Sequence, residues 1–278
     1  MIQYRKSIVC GSSILVLCLA WVFPMLSFSC HKPALFPPYV QAYDAGNLPA
    51  SQRGRDSLRQ DTLTCVYLSF DDGILKGSEV LDQTAFSDSV PLTVFLIGKN
   101  VLRNDSTRRL YEAYRRNPFI EIGNHSFTHA GGHYRRYYAH PDTVEQDFIL
   151  NADTLLLTGD IARLPGRNCW RINDRSRDDL PDGKAAADSL RALHYRVFGW
   201  DMEWSYNGAG RLVGTADEML GRIDRMAQRK NSFTANHIVL LLHDPLLQDS
   251  SNVAEIREFI HKLKVKGNYR LEQLGKYP

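Results

Sequence analysis

An α/β fold, a distorted (β/α) barrel of about seven parallel strands in one domain, is predicted by three features of the sequence. Short β-rich runs alternate with segments of helical period, which is the pattern of parallel βαβ units. The number of such runs favours a closed or nearly closed barrel over an open sheet. Polar clusters follow the runs directly, as they do where strand ends line a cleft.

The predicted strands are, in order, Leu63–Phe70, Leu92–Gly98, Phe119–Gly123, Ile161–Leu164, Tyr195–Trp200, His237–His243 and a weaker "YRLEQL" near the end. Between them "STRRLYEAYRRN", "TVEQDFILNADTLLL" and "AADSLRALH" carry apolar residues at intervals of three and four, which predicts helices. "DDG" follows the first strand, "NHSFTH" the third, "PGRN" the fourth and "DMEW" the fifth, while His243-Asp244 closes the sixth. Parallel strands bring all these clusters to one side of the sheet.

The domain is expected to span residues 62–278. Residues 1–30 precede it as a basic start, Arg5 and Lys6, an apolar run and small residues ending at Cys30, which predicts an export signal. Cys30 sits where bacterial lipoproteins carry their lipidated cysteine, so the chain is expected to be exported and lipid-anchored to a membrane of the bacterial cell envelope. An uncleaved anchor helix is the alternative, because the run is close to bilayer-spanning length. Residues 31–61 are polar and broken by Pro33, Pro37, Pro38, Pro49 and Gly54, which reads as a tether. Of the five cysteines, Cys10 and Cys18 fall in the signal, and Cys65 and Cys169 read as small buried hydrophobes. A net charge of only +3 over 278 residues, with basic residues spread along the chain, gives no nucleic-acid surface.

His125 and His129 stand four apart in "HSFTH", the spacing at which two imidazoles on one helical turn reach one metal ion. A catalytic site needs an anionic third ligand and a base. "DDG" supplies both: Asp72 as the ligand, and Asp71 free to take a proton because successive residues at a strand end point in different directions.

With these motifs in view, the chain resembles the polysaccharide deacetylases of carbohydrate esterase family 4, which share the NodB homology domain. The likeness runs from about Leu63 to Pro278 through "SFDDG", "HSFTH", "RLPG", "WDMEW" and "LLLHD" in order. It implies a divalent metal, zinc first with cobalt or nickel as alternatives, held by Asp72, His125 and His129. It implies Asp71 as catalytic base, Arg163 as its ion-pair partner and His243 as general acid. Gly166, Trp170, Trp204 and Leu241 are the expected substrate-binding residues. In the third motif Pro165 runs directly into Gly166 where the family has an aromatic residue, and Trp170 is the candidate to replace that wall. In the fourth, Asp201 and Glu203 are two apart, not three, so either could orient His243.

The function that the resemblance implies is metal-dependent removal of N-acetyl groups from a cell-surface or extracellular polysaccharide. An O-acetyl esterase and a non-catalytic glycan-binding lipoprotein are the alternatives. His133, His140, His194, His237 and His261 lie off the motifs and read as structural or surface groups. The run "YRRYY" could stack on sugar or simply form a solvated helix face.

Overall fold

The first predicted strand becomes β1 (Thr64–Gly73), buried along almost its whole length, in a computed structural model that describes residues 63–278. Its neighbours are β9 (His237–His243) on one side and β2 (Leu92–Leu96) on the other. Near-continuous apolar runs such as "HIVLLLH" are what a parallel strand covered on both faces requires.

Outward from β2 follow β3 (Ile120–Asn124), β4 (Ile161–Ala162) and β7 (Arg196–Val197), all parallel. β8 (Met202–Glu203) pairs with the far side of β9, and β10 (Tyr269–Leu271) takes the first residues of β1, leaving the rest of that edge to β2. Every strand predicted from the sequence is present. The sheet also holds an antiparallel hairpin of β5 (Cys169–Ile172) and β6 (Arg175–Asp178), with β5 against β7. The sheet's path ends at β6 and β8, so the barrel is open along one seam, the distorted and incompletely closed form of the expected fold.

Six longer helices pack on the outside: α1 (Ser78–Ser87), α2 (Asp105–Arg116), α3 (Pro141–Leu155), α4 (Lys184–Ala192), α5 (Ala216–Arg229) and α6 (Ser250–Lys266). Three of them have recognisable caps: Asn104 with Thr107 starts α2, Thr215 with Glu218 starts α5, and Gly267 at φ 72° stops α6. No helix among the described residues is long and apolar enough to cross a membrane. The expected signal, the tether and Cys30 lie outside the described residues.

Strand alternation sorts the core and positions the site. Val66, Leu68 and Phe70 of β1 pack with Leu81, Ile223 and Phe259 of the surrounding helices. Cys65 and Tyr67 face the other way, into the curl of the sheet, where they meet Trp170, Phe198, Phe233 and Val239. Both cysteines are free and buried, as expected. Register then pairs Cys65 with His237, Tyr67 with Val239, Ser69 with Leu241 and Asp71 with His243. The last inward-facing row at the C-terminal end of the central pair is thus Asp71 beside His243, above a filled interior.

Candidate active site

Asp71 is the best-fixed carboxylate of the cleft. It is buried, and Arg163 Nη1 donates to its Oδ1 at 2.8 Å. Arg163 follows β4 and is itself fully buried. Its remaining donors go to Ser69 Oγ (2.9 Å), Phe198 O (3.1 Å) and Gly199 O (2.9 Å), and the guanidinium lies over the Phe95 ring. Burial pulls its pKa down and Asp71 opposes that shift. The ion pair predicted between Arg163 and Asp71 is therefore present, and its satisfied geometry offsets the desolvation of two charges.

By alternation Asp72 would face the helices. Instead its backbone turns to φ 73° and the pairing with β2 shifts register between Asp71 and Gly73, which re-aims the side chain into the cleft. Left-handed backbone in a non-glycine residue costs energy and clusters where function requires it. Ser126 (φ 65°) and His129 (φ 56°) share that conformation within the same site.

Those two residues also revise the expected helical turn. His125 leaves the end of β3, Ser126 reverses the chain, and His129 begins a short 3₁₀ turn (His129–Gly132), so the two histidines converge from a loop. The loop is held by Asn124 Oδ1 accepting from Ser126 N (3.0 Å), Ser126 Oγ from His129 N (3.0 Å), and the α3 residue Asp147 from Thr128 N (3.2 Å) and Thr128 Oγ1 (2.9 Å).

Asp72, His125 and His129 offer ligand atoms that all lie within 4.8 Å of one another. Asp72 Oδ1 is 3.4 Å from His125 Nε2 and 3.1 Å from His129 Nε2, and it is buried with no other partner. His125 Nδ1 lies 2.8 Å from the Arg163 carbonyl, to which it can only donate. That fixes the tautomer and turns a lone pair at Nε2 towards Asp72. Three lone-pair donors facing one another require a positive charge between them, and an Asp-His-His set fits a divalent ion of the borderline class. Burial would raise the Asp72 pKa, but the two imidazoles hold it far below the usual carboxylate range. Burial opposes charge on His125, yet Asp71 and Asp72 hold its pKa above the ordinary value.

Across the cleft His243 turns Nδ1 towards Glu203 Oε1 at 3.9 Å. Asp201, the competing acid, is elsewhere: it accepts from Phe233 N (2.6 Å), Val239 N (3.0 Å) and Arg177 Nη2 (3.3 Å), stapling the chain before β8 to β9 and the loop preceding it. Glu203 is thus the acid placed beside His243, and Asp201 is removed from the candidate catalytic set.

The cleft, of about 370 Å³, is lined by Asp71, Asp72, His125, His129, Gly166 and Leu241, together with His243 and Glu203. The remaining walls are Tyr134, from the run read as a sugar-stacking or solvated face, and Trp200 and Tyr206, which had no assigned role. Two expected substrate-binding residues are corrected. Trp170 is 0% exposed and stacks on Phe233 at 4.3 Å inside the sheet; Trp204 is 0% exposed and meets Phe259 edge-on. Both are core residues. Tyr134 is the first residue of "YRRYY", whose Tyr137 and Tyr138 are buried, so that run is divided between cleft and core. Trp200 opens the fourth motif; nothing in the sequence marks Tyr206.

Asp244, next to His243, turns inwards, with both oxygens within 2.8 Å of Ser78 Oγ. That hydroxyl also faces Leu75 O at 2.9 Å, and its single proton cannot serve all three acceptors. A carboxyl carrying its own proton fits better, and burial raises the Asp244 pKa from 3.8 to about 7. Over that window the folded chain binds the proton that the unfolded chain has released, so the contribution of Asp244 to stability is lost as pH rises. Asp244→Asn should flatten this slope, by on the order of a few kcal/mol between about pH 4 and about pH 7. Denaturation midpoints across that range check it, and identical slopes in both proteins would refute it.

Residues 59–155 match the family described as polysaccharide deacetylase. No curated protein matches the chain. Among solved structures, the fold is similar to a carbohydrate esterase family 4 (CE4) esterase of Streptococcus mutans, with a TM-score of 0.57 at 21% identity over 78% of this chain and 90% of that one. It is also similar to the catalytic domain of a peptidoglycan N-acetylglucosamine deacetylase from Eubacterium rectale (0.56, 18%, 76% and 89%). The CE4 domain of a multidomain xylanase from the hindgut metagenome of Trinervitermes trinervoides is a third (0.52, 17%, 77% and 89%). These structural matches show the fold, and the matched segment 59–155 carries the likeness to the polysaccharide deacetylase family.

Proposed function

For a chain with the polysaccharide deacetylase signature and the fold of family 4 carbohydrate esterases, we propose metal-dependent hydrolysis of N-acetyl groups on an extracellular or cell-surface glycan. The observation that carries this is the row of Asp71 and His243, adjacent across β1 and β9, in one cleft with the Asp72, His125 and His129 cluster. A glycan-binding module needs a groove, but it has no use for a base and an acid flanking a ligand triad.

Asp72, His125 and His129 would hold the divalent ion, which supplies Lewis-acid polarisation of the acetyl carbonyl and lowers the pKa of a nearby water. Asp71, kept in place by Arg163, accepts the proton of the attacking water as its oxygen bonds to the carbonyl carbon. Gly166, at φ 61° on the cleft wall, is the backbone position proposed to face the oxygen that becomes negative. His243, facing Glu203, gives a proton to the nitrogen as the C–N bond breaks, and acetate and a free amine result. An O-acetyl esterase would use the same groups with less need for His243, because an alkoxide leaves more readily than an amine.

Acetate release from chitooligosaccharides, peptidoglycan and acetylxylan tests the reading. Release from the first two should stop with chelator and return with zinc, cobalt or nickel. Release from acetylxylan alone would make the protein an O-acetyl esterase, and glycan binding without any release would make it a binding lipoprotein. We further propose, on the N-terminal pattern, that Cys30 carries lipid and holds the domain at a bacterial membrane. A fatty-acid analogue should label wild type and not C30A.

A further inference from the structure

Of the two imidazoles in the ligand cluster, only His125 has its outer nitrogen fixed by backbone, through the Arg163 carbonyl at 2.8 Å. The outer nitrogen of His129 has one partner among the described residues, the Tyr134 hydroxyl at 3.4 Å, with the two rings edge-on at 5.8 Å. His129 must present a lone pair from Nε2 towards Asp72, 3.1 Å away, so its proton belongs on Nδ1 and needs an acceptor. Tyr134 Oη is placed to be that acceptor.

The same ring meets the third motif. A Cβ built on Gly166 would point at Tyr134 Cε1 and Cζ, 3.2 Å away, so the tyrosine occupies the space that a side chain at 166 would fill. Its position is braced from within its own short helix (Tyr134–Tyr138). Tyr137 Oη donates to Asp147 (2.9 Å), and Tyr138 Oη donates to Pro165 O (2.6 Å), at the residue preceding Gly166. Asp147 is also the residue that holds the HSFTH loop. One side chain therefore touches a ligand histidine and the groove wall, on a helix tied to the supports of both.

On the metal-dependent reading given above, we propose that Tyr134 is a positioning residue with two separable roles. Its hydroxyl fixes the tautomer and orientation of His129, and its ring forms the cleft wall over Gly166 against which a sugar ring packs.

Tyr134→Phe keeps the ring and removes the hydroxyl, and Tyr134→Ala removes both. The metal-free full chain would be titrated with cobalt(II), followed by its visible absorption, and with zinc against a competing chelator dye. Initial rates on chitooligosaccharides at saturating metal would follow, with unfolding midpoints to confirm that each variant is folded. Y134F should weaken metal binding about 10- to 100-fold, as loss of an outer partner typically does, with KM at saturating metal close to wild type. Y134A should show the same loss together with a several-fold rise in KM, as loss of an aromatic stacking surface predicts. Wild-type metal affinity in Y134F would overturn the positioning role, and a Y134A KM equal to that of Y134F would overturn the wall. A wild-type protein that bound neither metal would refute the proposed function itself, which is a distinct result.

Discussion

Asp71→Asn is expected to lower deacetylation by about a hundred- to ten-thousand-fold while leaving metal binding intact, because it removes the proton acceptor and no ligand atom. Asp72→Asn should do the reverse first, releasing metal and losing activity as a consequence. The two aspartates are adjacent in sequence but separated by the register shift at Asp72, so their roles can be read independently. The amide of D71N would still face Arg163, yet the buried guanidinium would lose its counter-charge, at a cost of up to roughly 3–5 kcal/mol. Stability must therefore be measured alongside rate. Metal content by mass spectrometry of the purified variants decides the matter: metal lost from D71N and kept by D72N would reverse the assignment.

His243→Ala is expected to penalise amide hydrolysis more than ester hydrolysis on otherwise matched substrates. An amine must be protonated as it departs, and loss of a positioned acid costs about a hundred- to ten-thousand-fold. An ester's oxygen leaves with less help. The Ala variant keeps Asp71, Arg163 and the ligand cluster, so metal content should not change. Comparing rates on N-acetylated and O-acetylated glycans gives the ratio directly, and near-normal amidase activity in H243A would sink the mechanism. Glu203→Gln should lower the rate in the same direction but less, since Glu203 lies 3.9 Å from the ring and is partly exposed.

The convergence of the candidate site was legible from the sequence where strand ends and short motifs coincide. Asp71, His243, Arg163 and His125 converge from the ends of β1, β9, β4 and β3, while Asp72 and His129 reach the same cleft through left-handed backbone. What was not legible depends on contacts remote in sequence. Asp201 and Glu203 could not be separated because the partners of Asp201, the Phe233 and Val239 amides, lie more than thirty residues away. Trp170 was misplaced because its strand belongs to a hairpin whose other half, "RSRD", has the composition of a loop. The helical spacing of His125 and His129 was real as a spacing and wrong as a conformation, because the left-handed backbone at Ser126 has no signature in residue type.

That charged hairpin also bears on how an incompletely closed barrel avoids aggregation. An open sheet has two free edges, and a free edge is a template on which another chain can add a strand. The sheet's path ends at β6, which carries Arg175, Arg177 and Asp178 within four residues, and at β8, only two residues long, while β10, paired to β1 off that path, has three residues. The first is too highly charged to accept an apolar strand and the others are too short to register one, so the open barrel offers little backbone to a neighbouring protein.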